Sequence, residues 1–251
     1  MRIMVLPEEI DGALDAAQPI TPQIARHLRS RIIRGDLKPG NRISEAEIAR
    51  RFDVSRQPVR EAFIKLAEQG LLAILPQRGT IVSRIAWSAV HDARFLREAI
   101  EADIVAILAN DPSPGLIRDL RAQIEGQRAV AQSEPMRFIE CDDLFHRTLA
   151  EAAGKSGAWK SIEGLKAQMD RVRFLSLGHF PVDKLISQHV AVIDGIEKAN
   201  KTGANRAIRV HLREVLRDLP EICGANPQYF EMPAGVLPEP VNAPIQGGVE
   251  K

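Results

Sequence analysis

Only two cysteines, Cys141 and Cys223, occur in 251 residues. They are too few for a disulfide framework, and they suit a reducing cytoplasm, the compartment expected for this chain. The sequence also lacks an 18-residue apolar run and a basic start followed by an apolar stretch, so neither a membrane span nor a secretory signal is expected. No internal repeat is evident. Net charge is nearly absent as well, at +1, but this is a cancellation. Residues 21–84 hold 13 Lys and Arg against 6 Asp and Glu, and the remainder holds 21 against 27. The chain is thus divided into a basic territory and a mildly acidic one. Its 45% hydrophobic and 27% charged content fits a soluble protein with one or two ordinary cores. Charge alone leaves the basic block open between a nucleic-acid surface and a solvated face.

The order of helix signals in that block is more telling. Thr21 reads as an N-cap with Pro22 at the first helical position, and Ile24, Leu28 and Ile32 run to a stop at Gly35. After "LKPGNR" comes "SEAE", a capping box of Ser44 and Glu47 that opens a short helix to about Arg51. Ser55 then caps "SRQPVREAFIKLAEQG", which ends at Gly70, and "LLAILPQRGTIVSRI" reads as two strands around a turn. Three helices plus a β-hairpin form a winged helix-turn-helix, placed at residues 18–84. Its third helix gathers Ser55, Arg56, Gln57 and Arg60 at the end that approaches base edges. Arg56 and Gln57 suit guanine or adenine edges, while Ser55 and Arg60 suit phosphate. Arg78 with Gly79 at the hairpin tip, and Ser44 with Glu45 at the second helix, complete the DNA-facing set.

The stretch "IIRGDLKPGNRISEAEIARRFDVSRQPVREAFIKLAEQGLLAILPQRGTIVS" resembles the N-terminal domain of the GntR family of bacterial transcription regulators over about 60 residues. Its "PG", "VSR-PVREA", "L-EQGL" and "RGT-V" elements are each short, and their order and spacing carry the match. Ala46 departs from the pattern, standing where many relatives have a DNA-contacting arginine.

Beyond Ala86 the pattern is helical with short breaks, about six helices making an all-α bundle over residues 86–222. The fold class expected is therefore mainly α, a winged helix-turn-helix followed by that bundle. Residues 1–17 read as an N-terminal arm, and the proline-rich residues 223–251 as a flexible tail. Within the bundle, Asp142 and His146 stand at i, i+4 beside the stripe Phe138, Cys141, Phe145, Leu149. His189 lies within Leu185, Ile186, Val190, Ile193, and His211 within Ile208, Leu212, Val215. A buried carboxylate is costly unless paired or coordinated, and a buried imidazole needs partners for both nitrogens. One divalent cation would satisfy all four side chains; separate hydrogen-bonded core residues would do so too. His27, His91 and His179 lack such company and read as surface or packing residues.

The segments "LREAIEADIVAILA", "CDDLFHRTLAEAAG", "QHVAVIDGIEKAN" and "AIRVHLREVL" resemble the FCD effector domain of the FadR subgroup, in its shorter VanR-like form. That resemblance implies a metal held by Asp142, His146, His189 and His211, with a small carboxylic acid as effector. It also implies that Arg97 and Glu101 lie near the pocket, although a plain i, i+4 helix pair explains those two equally. Lys155 departs from the pattern, where relatives often have Asn. Zinc is the default ion by availability and affinity, with nickel and manganese as alternatives. The expected protein is a homodimeric, non-enzymatic repressor that binds a pseudo-palindromic operator and is controlled by a small organic or sugar acid. Two competitors remain: a metal-dependent hydrolase fused to a DNA-binding module, and a DNA-binding protein with a purely structural metal. The first needs a general base that no motif identifies.

Overall fold

The computed structural model describes residues 14–131, 133–177 and 182–232, and the chain divides into two compact units. The first comprises residues up to Ile85 together with Pro227–Glu231. It contains α1 (Ile20–Ile33), β1 (Arg42–Ile43), α2 (Glu45–Arg51), α3 (Arg56–Glu68), β2 (Leu72–Leu75) and β3 (Gly79–Val82). Ile24, Leu28 and Ile32 of α1 meet Val59, Phe63 and Leu66 of α3 in its core, all at most 1% exposed. These are the apolar positions at helical spacing in the sequence, so periodicity alone dictated which face went inward.

Local details depart from expectation in physically informative ways. The cap of α1 is Pro19, and Thr21 lies inside the first turn with its hydroxyl donating to Glu61 Oε2 at 3.1 Å. Proline fits anywhere in a first turn, whose N–H groups need no helical acceptor, so Pro22 did not fix the start. Ser44 caps α2 as expected, accepting the Glu47 N–H at 3.4 Å, whereas Ser55 stands at the N-cap of α3 without a side-chain cap bond. The sheet has a third strand beyond the expected hairpin. β1 pairs antiparallel with β3 through Arg42↔Ile81 and Ile43↔Thr80, giving the order β1-β3-β2. Two residues are too short to display the period-two signal of a strand.

The first unit also includes part of the chain's far end. A 3-10 turn at Pro227–Tyr229 leads into β5 (Phe230–Glu231), which pairs with β4 (Ile85–Ala86). Phe230 is buried, and the Tyr229 hydroxyl lies over Gly35, where a Cβ would come within 3.1 Å of it. Gly35 also has φ +76°, a conformation that favours glycine, so two constraints coincide at the end of α1. The expected flexible tail from 223 is thus corrected: residues 223–225 are helical and 227–231 are built in. The rest of that tail, 233–251, and residues 1–13 of the expected arm lie outside the described residues.

Beyond Ala86, the described residues of the second unit form helices α4 (Trp87–Leu108), α5 (Pro114–Val130), α6 (Pro135–Ala152), α7 (Ser156–Leu165), α8 (Ala167–Ser176), α9 (Val182–Glu197) and α10 (Lys201–Ala225). Only Lys166 separates α7 from α8, so the expected count of about six treats them as one interrupted helix. The break has an electrostatic anchor. Lys166 is fully buried, its ammonium 2.6 Å from Asp143 Oδ2 and 2.8–2.9 Å from both oxygens of Asp170. Removing one partner of such a buried pair leaves an uncompensated charge, which fixes the geometry strongly. Among the described residues no helix is long and apolar enough to cross a membrane.

The long α10 packs against α9, α4 and α8. It comes close to α9 at Gly195, where a Cβ would fall 2.7 Å from the backbone N and Cα of Ala204. Gly195→Ala gains about 1 kcal/mol of helix propensity but forces rigid backbone apart at a cost of about 1–3 kcal/mol. A lowered melting temperature is expected; an unchanged or higher one would refute this close approach.

Candidate functional site

Helix α6 presents Asp142 and His146 one turn apart, α9 presents His189 and α10 presents His211, each at most 2% exposed. Their ligating atoms all lie within 4.8 Å of one another. His211 Nε2 is 3.1 Å from both His146 Nε2 and His189 Nε2. Asp142 Oδ1 is 3.4 Å from His189 Nε2, and Oδ2 is 3.7 Å from His146 Nε2.

The outer nitrogens explain why the inner ones converge. His146 Nδ1 lies 2.5 Å from Glu101 Oε2, His189 Nδ1 2.9 Å from Gln127 Oε1, and His211 Nδ1 3.2 Å from Gln188 Oε1. Two amide oxygens in hydrogen-bond range and the adjacent Glu101 carboxylate favour the tautomer with a proton on each Nδ1, which turns each Nε2 lone pair toward the centre. Lone pairs 3.1 Å apart repel unless an electrophile lies among them. Zinc–nitrogen bonds of about 2.0–2.1 Å put neighbouring nitrogens roughly 3–3.4 Å apart, so the spacing suits an ion. Asp142 Oδ1, buried without a hydrogen-bond donor, completes an N₃O donor set.

Electrostatics suit a cation as well. Burial pushes the His146 pKa down to about 4, and burial with the neighbouring His189 and His146 holds His211 well below the usual histidine value. Burial alone would raise Asp142, but Arg173, His146 and His189 outweigh it and keep the carboxyl well below its ordinary range. Glu101 behaves alike: burial raises it, Arg97 and His146 overcome that, and its pKa falls to about 2. His146 and His211 are therefore held neutral and Asp142 and Glu101 ionised, the forms that suit a divalent ion.

Arg97 and Glu101 form the internal i, i+4 pair, at 2.6 Å, and both are buried. Glu101 thus orients His146 and anchors Arg97. The terminal nitrogens of Arg97, Nη1 and Nη2, are buried without partners. Sequence reasoning missed Gln127, Gln188 and Arg173. Gln188 adjoins His189 in "SQHV", but Gln127 reaches the site from α5, 62 positions away, with nothing local to mark it. His27 packs edge-on against Phe52 and His91 stacks on Trp87, in keeping with packing roles; His179 lies outside the described residues.

In the first unit, a groove of about 460 Å³ is bounded by Ser44 and Glu45 of the α2 start, Arg56 of α3, and Arg78 and Gly79 of the hairpin tip. Arg56 is 69% exposed and pairs with Glu45 at 3.2 Å, which orients its guanidinium. Ser55, Gln57 and Arg60 are exposed on α3 outside the groove's lining, with Gln57 donating to Glu61 at 3.0 Å. Ala46 is exposed on α2. Gln77 at φ +58° and Gly79 at φ +86° shape the turn that carries Arg78.

Comparison with known proteins adds a separate line of observation. The family described as bacterial regulatory proteins, gntR family, matches residues 20–82, and the FCD domain matches residues 92–214. An Escherichia coli K12 protein named HTH-type transcriptional repressor RspR is 38% identical over 223 residues, covering 88% of this chain and 98% of that one. An HTH-type transcriptional regulator in an unstable DNA locus of Streptomyces ambofaciens is 34% identical over 215 residues, covering 84% and 89%. Among solved structures, E. coli McbR/YncC superposes with a TM-score of 0.69 at 19% identity, covering 81% of this chain and 98% of that one, a likeness of fold.

Proposed function

Because the chain belongs to the GntR family of bacterial transcription regulators and carries an FCD domain, we propose that it is a repressor whose hold on an operator is set by a small organic or sugar acid bound at a divalent metal. Asp142, His146, His189 and His211 would hold the ion, zinc by default. The observation that carries this reading is the convergence of three Nε2 atoms whose Nδ1 partners are already fixed. When bound, such an ion supplies a positive centre with open positions for a carboxylate. The two unpartnered nitrogens of Arg97, buried in the same helical unit and paired to Glu101 beside His146, support a carboxylate ligand because a guanidinium takes one in a two-pronged bond.

On the DNA side, Arg56 and Gln57 read base edges, Ser55 and Arg60 hold phosphate, and Arg78 with Gly79 reaches the backbone or minor groove. Ser44 and Glu45 border the same groove, Glu45 aiming Arg56. A single winged helix covers little DNA, so a homodimer on a pseudo-palindromic site in the cytoplasm fits this surface. An acid that binds the DNA-released state better weakens operator binding by its difference in affinity for the two states.

The test starts with an operator selected from random duplexes by the full-length, metal-loaded protein. Arg56→Ala is expected to weaken binding by about 1–3 kcal/mol and to relax specificity at one position. Addition of hydroxy and sugar acids is expected to identify one that releases the wild-type protein. An unchanged Arg56→Ala affinity would refute the docking. Indifference to every acid would leave the ion a structural staple.

A further inference from the structure

We propose that Arg173 is a positioning residue of the metal centre, holding Asp142 to coordination through one oxygen and so keeping a position on the ion open to an acid. This rests on the metal-centre reading above. It follows from the different surroundings of the two carboxylate oxygens. Asp142 Oδ1 is buried with no hydrogen-bond donor and faces His189 Nε2 at 3.4 Å and His211 Nε2 at 4.0 Å. Asp142 Oδ2 is bonded by Arg173 Nη1. An ion seated among the three Nε2 atoms therefore meets one available carboxylate oxygen and one already engaged in a charge-assisted hydrogen bond.

Release of that second oxygen would change the count of bonds at the ion. A carboxylate binds hard cations through one oxygen or through both, and the choice depends on what else holds it. Arg173 comes from α8 and Asp142 from α6, so the restraint is tertiary and depends on the helix that follows the Lys166 break. The side chains are 12% and 2% exposed, so solvent screens the pair little. Lysine would keep the charge there but lose the planar fork that fixes direction.

The experiment uses cobalt(II), whose visible absorption responds to coordination number, added to full-length protein stripped of metal, followed by acetate. Wild type is expected to bind one cobalt per chain and to change its spectrum with acetate. Arg173→Met is expected to lower cobalt affinity by about 10–100-fold, the size seen for residues that orient metal ligands, while still filling with cobalt in excess, to shift the absorption bands, and to lose acetate affinity by at least about tenfold. Arg173→Lys is expected to fall between, and carries the test should the methionine variant not fold. A wild-type spectrum and acetate response in either variant would overturn the proposal, even with lower thermal stability, since that is how a merely structural ion pair behaves. Failure of wild type to bind cobalt would instead overturn the metal reading, and this inference with it.

Discussion

His211→Ala is expected to leave the protein without stoichiometric metal. His211 Nε2 stands 3.1 Å from both other imidazole Nε2 atoms, so its loss opens one side of the donor set. Loss of residues that merely orient metal ligands costs about 10–100-fold in affinity, and loss of a ligand is expected to exceed that. Stability should follow. At a free-ion concentration about a hundred times the dissociation constant, binding adds roughly 2.7 kcal/mol to the folded state. That increment, read as the difference in melting temperature with and without a chelator, should be present in wild type and absent in His211→Ala. Elemental analysis after gel filtration provides the direct measure. One ion per chain retained by the variant would exclude His211 as a ligand.

Without metal, the protein should become steeply sensitive to acid. His146 has an ordinary pKa of 6.5 and is held at about 4 in the fold, chiefly by burial. Between these values the unfolded chain binds the proton and the folded one does not, so stability falls as pH falls. The contribution is complete above about 6.5 and is lost progressively down to about 4. Each tenfold difference in proton affinity between the two states is worth about 1.4 kcal/mol, so His146 alone removes on the order of 3 kcal/mol. This is large beside the roughly 5–15 kcal/mol that holds a typical domain together. His211, lowered in the same direction by the same burial, adds to the loss. Glu101 and Asp142, both lowered, begin to contribute as pH falls into the usual carboxylate range, again in the destabilising direction. Urea unfolding in chelator at pH 7.5, 6 and 5 should therefore give falling midpoints across the window in which His146 differs between the two states. Equal midpoints at pH 7.5 and 5 would contradict the neutral, buried state of His146 and His211.

The four candidate ligands were legible because each lies on or beside an apolar stripe at helical period. Burial of Phe138, Phe145 and Leu149 carries Asp142 and His146 inward whatever those two prefer. What orients them was not legible. Gln127 and Gln188 are amides of ordinary helices, and only the packing of α5 beside α9 brings Gln127 to His189. The Arg97–Glu101 pair illustrates a different limit: spacing predicted the bond, but not that Glu101 also faces His146. Strand β1 escaped notice because two residues carry no period. The C-terminal correction arose because an average over a proline-rich stretch conceals two adjacent aromatics, Tyr229 and Phe230, with a place to go.

That last segment has a consequence for synthesis. Chains emerge from the ribosome N-terminus first, and leading domains generally fold as they appear. Here the leading unit is completed by Pro227–Glu231, made after the described helices α4 to α10 of the second unit. Until residue 230 is translated, the winged helix lacks Phe230 and the pairing of β4 with β5. The nascent chain thus finishes its first unit only once the helices of the second exist, so a prematurely terminated product would carry an unfinished winged helix.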